Sequence, residues 1–490
     1  MYKPKNVLYL FIILLSTNFF ACKDDFENYS VNAQDHLSFS IDTLSFDTIL
    51  TTVNSPALAF RVYNKNAKPL LISSIQLASG ATGDFKINVD GMAGSVFENV
   101  EILAKDSLLV LVNVKPKENG QYTPTLFNDY VLFETNGVQQ KVVLQAFGQD
   151  VYVYRGVVLS KDSVLDSQKP YLIYDSLVID KDATVEIREG SVFYMSSNAQ
   201  LIVNGTIKIK GTREKPVIFR GSRTDYVATI PYDLIPGQWG GIRFASESYG
   251  NEMENVRIRN GKYGMDIKCA GDLSRNKLTM RNVVLTNVTG NLLQAINCNL
   301  IAENCELTNS KDTLLYIVGG SCRFTHCTIA NCYPSNQLIG LGNSNYKTLI
   351  LADYIFNWNT EAFENYPVIN AEFYNTIIWG NSSMSPIQIT GNDSIPYLFQ
   401  NCLLPNEATK DSKVIDCIFQ VDPLFKKINP FESEKNPWYP SFDFSLQKTS
   451  PAIGAANLKI AGQIPYDLYG FYRLTDGKPD LGAYEYHEKE

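Results

Sequence analysis

Asn255-Val-Arg-Ile-Arg-Asn260, Asn282-Val-Val-Leu-Thr-Asn287, Asn304-Cys-Glu-Leu-Thr-Asn309 and His326-Cys-Thr-Ile-Ala-Asn331 are copies of one six-residue frame. Apolar residues hold the second and fourth places of the frame, and its copies start 27, 22 and 22 residues apart. Echoes follow at Asn375 (NTIIW), 49 residues after His326 and read as about two coils, and at Asn401 (NCLL), 26 further on. One short β-frame per twenty-odd residues is the mark of a solenoid. The Leu-x-x-Leu-x-Leu frame of leucine-rich repeats is absent, so the pattern predicts a parallel β-helix, with coils stacked about 4.8 Å apart by parallel pairing. Val256, Val283, Cys305, Cys327, Thr376 and Cys402 should then form one inward column. Ile258, Leu285, Leu307, Ile329 and Ile378 should form the next. Asn260, Asn287, Asn309 and Asn331 are expected to close the strands as a ladder, their amides bonding to the coils above and below. Parallel crossovers default to right-handed winding.

Earlier coils are visible upstream in ATVEIREGSVFYM from Ala183, AQLIVNGTIKIKGT from Ala199, PVIFRGS from Pro216 and GQWGGIRFAS from Gly237. The run "LIVNGTIKIKGTREKPVIF…WGGIRF" resembles the opening coils of the right-handed parallel β-helix repeat family. VDPLF at 421–425, SPAIGA at 450–455 and DGKPDLGAYEY at 476–486 together resemble the C-terminal signature of secreted Bacteroidetes-type β-helix proteins. The resemblance covers roughly residues 151–486. It implies a fold and no activity, because the fold hosts lyases, hydrolases, adhesins and inert scaffolds.

Residues 36–150 read differently. Short alternating stretches (LSFSI, ALAFRVYN, PLLISSIQL, LLVLVNV, DYVLFET, QKVVLQAFG) are separated by Asn, Asp, Gly and Pro clusters. Asn136-Gly137 between two β-rich runs predicts a hairpin. Six or more such strands in about 115 residues predict an antiparallel sandwich. "NKNAKPLLI", "DYVLFETNG" and "QKVVLQAFG" resemble immunoglobulin-like domains of the Hydin type. The fold expected for the whole chain is all-β, an immunoglobulin-like β-sandwich followed by a right-handed parallel β-helix.

The N-terminus carries an address. Lys3 and Lys5 precede the apolar run Val7 to Leu15, which is too short for a bilayer span and fits a signal peptide. It ends at Phe19-Phe20-Ala21-Cys22, which resembles a bacterial lipoprotein signal with Cys22 as the acylated first residue. Lys23-Asp24-Asp25 after it is similar to the export tag of Bacteroidetes surface lipoproteins. The expected division is a lipoprotein signal peptide at 1–21, a flexible tether at 22–35, the sandwich at 36–150, the β-helix at 151–425 and a C-terminal cap at 426–490. The expected location is the outer membrane, lipid-anchored through Cys22 and surface-exposed.

Composition narrows the function. Lys plus Arg number 43 against 51 Asp plus Glu, a formal charge of -8 with no long basic run, so nucleic acid is not an expected partner. Three histidines (His36, His326, His487) argue against a His-dependent triad or a multi-His zinc site. The one Asp-Asp pair is Asp24-Asp25, so the clustered aspartates of a polygalacturonase-like hydrolase are missing. The cysteines at frame positions read as a ladder of small buried hydrophobes, with a stacked disulfide or a metal as lesser alternatives. Trp239, Arg243, Arg257, Arg259 and Lys268, with Lys262, form a candidate cationic, aromatic strip for an extracellular polysaccharide. The competing reading is a solvated face whose long side chains cover the coil. Trp358, Trp379, Trp438 and Tyr439 are further candidates for stacking on sugars. Asp467, Arg473, Asp476 and Asp480 are expected to lock the cap; calcium there is the minor alternative, and no other cofactor is expected. The expected function is non-catalytic binding of a glycan or surface protein, or a structural role. The alternative is a polysaccharide lyase cleaving a uronate-containing glycan by β-elimination, which needs Arg257, Arg259 and Lys268 in one groove.

Overall fold

A computed structural model describes residues 29–227, 230–332, 347–357, 359–380, 386–391, 395–406, 411–428 and 442–488. The signal peptide, Cys22, the start of the tether, Trp358, Trp438 and Tyr439 lie outside the described residues. The chain is all-β: among those residues the single α-helix is Leu458–Ala461. It divides into two compact units, Met1–Gln149 and Asp150–Glu490.

In the first unit, two five-stranded sheets enclose one core. One sheet orders Ser38–Phe39, Leu58–Tyr63, Ser107–Val114, Phe85–Val89 and Met92–Gly94. The other orders Thr43–Leu50, Val138–Gln149, Thr125–Thr135, Leu70–Leu77 and Val96–Ile102. Ser107–Val114 (SLLVLVNV) shows the cause: every second residue is buried, so one face feeds the core. Leu44, Phe60, Ile87, Val110, Phe133 and Leu144 come from both sheets and meet in that core. Asn136 (φ 52°) and Gly137 (φ 73°) supply the two left-handed residues of the hairpin joining Thr125–Thr135 to Val138–Gln149. The expectation of a wholly antiparallel unit needs one correction. Thr43–Leu50 runs parallel to Val138–Gln149, possible because the two are far apart in sequence and need no tight turn between them.

The second unit is built on a continuous sheet of 24 strands among the described residues, in which successive turns of chain pair in parallel. Val256, Val283, Cys305, Cys327, Thr376 and Cys402 stand in register and are fully buried. So do Ile258, Leu285, Leu307, Ile329 and Ile378. Aromatic rings stack inside along the same direction: Tyr171 on Phe193 on Phe219 at 4.8 and 4.6 Å, and Phe324 on Phe373 on Phe399 at 5.2 and 4.9 Å. These spacings are close to the distance between paired strands, so register alone brings the rings together.

The interval from His326 to Asn375 is one turn, not two. Thr328 pairs directly with Ile377, and Leu315–Thr325 pairs with both Leu349–Ala352 and Val368–Tyr374. The extra length includes a hairpin, Tyr354–Asn357 with Ala362–Asn365, that leaves the stack and returns to it.

The chain has 42 asparagines, and the corners of the stack account for those at the frame-opening place. Asn255, Asn282, Asn304, His326, Asn375 and Asn401, the frame-opening residues, all have φ between 49° and 57°. Each turn therefore kinks through the left-handed region at the same rung, a place where Asn is favoured over other residues bearing a Cβ. The expected ladder is different in kind. Asn260 donates to the carbonyls of Asp233 and Ile235, and Asn287 to that of Leu234, so both hold the single-turn helix Tyr232–Leu234 rather than neighbouring coils. Only Asn309 and Asn331 bond to the adjacent coil, through the Cys332 N–H and the Ser310 carbonyl. Where two glycines take the corner, space is the reason. Gly320 (φ 74°) would place a Cβ 2.2 Å from the Cys298 carbonyl oxygen.

The C-terminal segment, expected as a cap, packs on coils that include Asn304, Thr328, Ile377 and Leu403. Phe425–Lys427 pairs with Asp443–Leu446, and the chain beyond lies along the flank of the stack. Leu468, Leu481, Ala483 and Tyr484 pack on Ala330, Cys332, Ile377 and Leu403, which point outward from the coils. The Gly482 N–H donates to the Asn375 carbonyl at 2.8 Å, and the Ala483 N–H to Thr328 Oγ1 at 3.0 Å.

Candidate functional site

The strip expected from the sequence is not assembled. Trp239 is fully buried, its indole N–H donating to the Arg259 carbonyl at 2.8 Å, so it offers no ring to a sugar. Arg259 forms a two-bonded ion pair with Asp233, both contacts 3.0 Å, and Arg220 joins the same carboxylate at 3.1 Å. That pairing spends Arg259 on fixing the Tyr232–Leu234 turn. Arg257 and Arg259 belong to Asn251–Arg259, and Lys268 to Met265–Lys268, beyond the Asn260 corner on a different sheet face. Arg243 stands beside Asp266 on the Lys268 face. The groove that β-elimination would need is therefore absent from these residues. Lys262 donates to Asn198 Oδ1 at 2.5 Å, and Trp379 is half-buried under the C-terminal segment.

A different arrangement concentrates exposed aromatics. Tyr466, Tyr469, Phe471 and Tyr472 lie within seven residues, 53, 52, 42 and 46 % exposed. Tyr466 and Tyr472 face each other across an isolated antiparallel bridge with ring centroids 5.6 Å apart. The turn that carries them is rigidly built. Asp467, fully buried, accepts from the Phe471 N–H at 2.7 Å and the Glu485 N–H at 2.9 Å; the Arg473 N–H donates to the Pro465 carbonyl at 2.8 Å. Gly470 (φ 97°) makes the bend, with the Arg213 guanidinium against it.

A cavity opens on each side of this turn. One, of about 270 Å³, is lined by Tyr466, Arg213, Arg281, Asn282, Glu303 and Asn304 among others. The second, of about 180 Å³, is lined by Tyr472, Asp476, Asp480, Glu485, Tyr486 and His487 among others. Ring faces beside charged and amide groups are the chemistry that recognises a ring-shaped, hydroxyl-rich ligand.

Beneath the turn lies a buried ionic knot. Arg473, 1 % exposed, pairs with Glu485 at 2.7 Å and donates to Asn304 Oδ1 at 2.7 Å and the Gly482 carbonyl at 3.1 Å. Burial pushes the Glu485 carboxyl up to about 7, with the Asp480 charge adding to it and Arg473 opposing it. Asp480 accepts from the Gly454 and Tyr486 N–H groups, both at 2.7 Å. Asp476, expected in the same cluster, is exposed and only caps the Lys478 N–H at 2.9 Å. Glu485, the residue that pairs with the arginine, was missed because its place in DGKPDLGAYEY carries no pattern of its own. Among the described residues no group of three or more His, Cys, Asp or Glu is gathered to hold a metal ion. The Tyr484 hydroxyl donates to the Glu306 carboxylate, which burial raises above the usual range.

The eight described cysteines are free thiols, six of them buried. His326, fully buried, meets the Asn375 amide through Nε2 at 2.9 Å. No helix of the described residues is long and apolar enough to cross a membrane.

No family model matches the chain, and no curated protein matches it. Among solved structures it is similar to the VesB protease of Vibrio cholerae, at 13% identity over 24% of this chain and 32% of that one, with a TM-score of 0.17. An ASH/PapD-like domain of human CEP192 is 12% identical over 24% of this chain and 85% of that one, with a TM-score of 0.16. The catalytic domain of a GH87 alpha-1,3-glucanase in complex with nigerose is 9% identical over 75% of this chain and 88% of that one, with a TM-score of 0.19. The chain spans about a third of the protease it matches. Overlaps this slight identify neither a fold nor an activity.

Proposed function

We propose that this chain is a lipid-anchored surface protein that binds an extracellular glycan without cleaving it. In this reading an immunoglobulin-like sandwich follows the tether, and the coil stack is a right-handed parallel β-helix that presents the binding turn. The observation that carries the proposal is the Tyr466–Tyr472 turn. Four aromatic rings, each about half exposed, stand on a buried scaffold between two cavities lined by Arg, Asn, Asp and Glu. Tyr466 lies against Tyr472, Tyr469 against Tyr484 and Phe471 against His487. Exposing that much ring surface costs hydrophobic burial, and a site for stacked pyranose rings repays it. The lyase reading has no comparable support, because Arg257, Arg259 and Lys268 occupy separate faces.

The test is a glycan array followed by calorimetric titration of the hits. The double substitution Tyr466→Ala, Tyr472→Ala removes two exposed rings and leaves the Arg473–Glu485 pair in place. At about 1 kcal/mol per stacked ring, affinity should fall at least tenfold with an unchanged melting temperature. No binding by the wild-type protein, or equal binding by the variant, overturns the proposal. Release of unsaturated sugars from an acidic glycan would replace it with the lyase.

A further inference from the structure

Cys269 and Cys298 meet on successive turns of the stack. Lys268 pairs with Ile296, and the Cys269 N–H donates to the Ile296 carbonyl at 3.2 Å, which sets the two thiols in mutual contact. Cys298 is 2 % exposed and donates to the Ile296 carbonyl at 3.1 Å; Cys269 is half-buried and reachable from solvent. Lys277 reaches this place from the next stretch of chain. It is fully buried, and its ammonium donates to the Ala245 carbonyl at 2.5 Å and the Ser246 carbonyl at 3.2 Å. The Lys277 ammonium sits 4.9 Å from the centre of the Tyr249 ring, whose hydroxyl end lies beside Cys269. Arg275 lies over the same ring at 4.4 Å, and Glu247 and Asp272 complete the charged groups nearby.

We propose that Cys269 is a peroxide-reactive thiol and that Cys298 is its resolving partner. A hydroperoxide is the co-reactant. The Cys269 thiolate attacks one peroxide oxygen; an S–O bond forms, the O–O bond breaks, and the leaving oxyanion takes a proton to become an alcohol or water. Cysteine sulfur is oxidised by two electrons to the sulfenic acid, and the peroxide is reduced. The Cys298 sulfur then attacks the Cys269 sulfur; the S–S bond forms, the S–O bond breaks, and hydroxide leaves as water with the Cys298 proton. The net change is two thiols and one hydroperoxide to one disulfide, one alcohol and one water.

Local charge and access separate this pair from the other stacked thiols. The Cys298 thiol, then the Lys277 charge and the Tyr249 hydroxyl, hold Cys269 below the usual thiol range against the effect of burial. Cys402 and Cys417 also touch, the Cys402 N–H lying 3.4 Å from the Cys417 sulfur, and the Cys402 thiol lowers Cys417 in the same way, but the charge acting on Cys417 is that of Asp416, which opposes the thiolate. Cys305 and Cys327 are both fully buried, out of reach of a peroxide.

The reduced full chain is treated with equimolar hydrogen peroxide, and the peptides are mapped by mass spectrometry. A Cys269–Cys298 disulfide is expected in the wild type, and a dimedone adduct on Cys269 in Cys298→Ser. Iodoacetamide at neutral pH should label Cys269 at least tenfold faster than Cys417, a comparison internal to the wild type that needs no variant to fold. Equal labelling rates, or peroxide treatment that yields neither the linked peptide nor the adduct, overturns the proposal. Glycan binding by the Tyr466–Tyr472 turn is a separate measurement, and neither result predicts the other.

Discussion

Asn401 sits at φ 49° with its amide oxygen buried and unpartnered, so its backbone shape, more than its side chain, accounts for the residue type. Asn401→Gly should be neutral within about 0.5 kcal/mol, whereas Asn401→Ala should cost about 1–2 kcal/mol in chemical denaturation, the penalty of a Cβ in the left-handed region. His326 occupies the same corner two turns earlier, at φ 51°. Burial, and then the Arg473 charge, hold its imidazole well below 6.5. The unfolded chain binds a proton near that value and the folded chain does not, so this residue makes stability fall as pH drops below 6.5. The stability of wild type minus that of His326→Asn should therefore decline between pH 7 and 5 in urea titrations; a constant difference refutes the assignment. The recurrence of Asn was plain in the sequence. Its reason was read only in part: Asn260, Asn287 and Asn309 have φ between 56° and 71°, so both ends of the frame bend through the left-handed region, and an amide that bonds between coils and a residue that tolerates positive φ are the same amino acid.

At the scale of elements, the flank segment 442–488 adds what periodicity cannot show. Its place has a trace in the coils beneath it. Ile377-Ile378 and Leu403-Leu404 put apolar residues on both sides of one strand, the pattern of a strand covered on both faces. Arg257-Ile258-Arg259 alternates instead, and its arginines keep partial access to water. What covers the apolar side was illegible, since a loop-rich segment has no period to read. The segment also carries a pH response opposite to that of His326. Glu485 loses its proton near 4.5 when unfolded and near 7 when folded, so stability present below 4.5 is lost as pH rises through 7. By about 1.36 kcal/mol per unit, the loss is on the order of 3 kcal/mol. The melting temperature of wild type relative to Glu485→Gln should drop across that window and level off above pH 8. The exposed turn at 466–472 escaped notice for a related reason: YDLYGFY is as apolar as a buried strand, and only the packing of Leu468 beneath it turns the four rings outward.

For the whole molecule, the two units have separate cores that share no residue. Calorimetry should resolve two unfolding transitions. Enthalpy scales with length at about 0.7 kcal/mol per residue, so the transition of 150–490 should be roughly twice as large as that of 1–149. A single transition with equal calorimetric and van't Hoff enthalpies would show the units to be thermodynamically fused. The proposed address has its own test: a clickable fatty acid fed to cells should tag the wild type and not Cys22→Ser, which should appear in the soluble fraction. The stacking of coils was readable from the repeat because register copies one position onto the next. The 49-residue turn was not, because parallel pairing counts rungs and is blind to the length of chain between them.

That blindness has a practical side. Thr328 finds Ile377 as readily as Leu307 finds Ile329, although one interval is more than twice the other. The hairpin that departs at Tyr354 and rejoins by Asn365 is thus a natural splice point. A foreign epitope grafted at 359–361 would be displayed beside the paired strands while every rung kept its partner, which makes the molecule a ready carrier for engineered cargo.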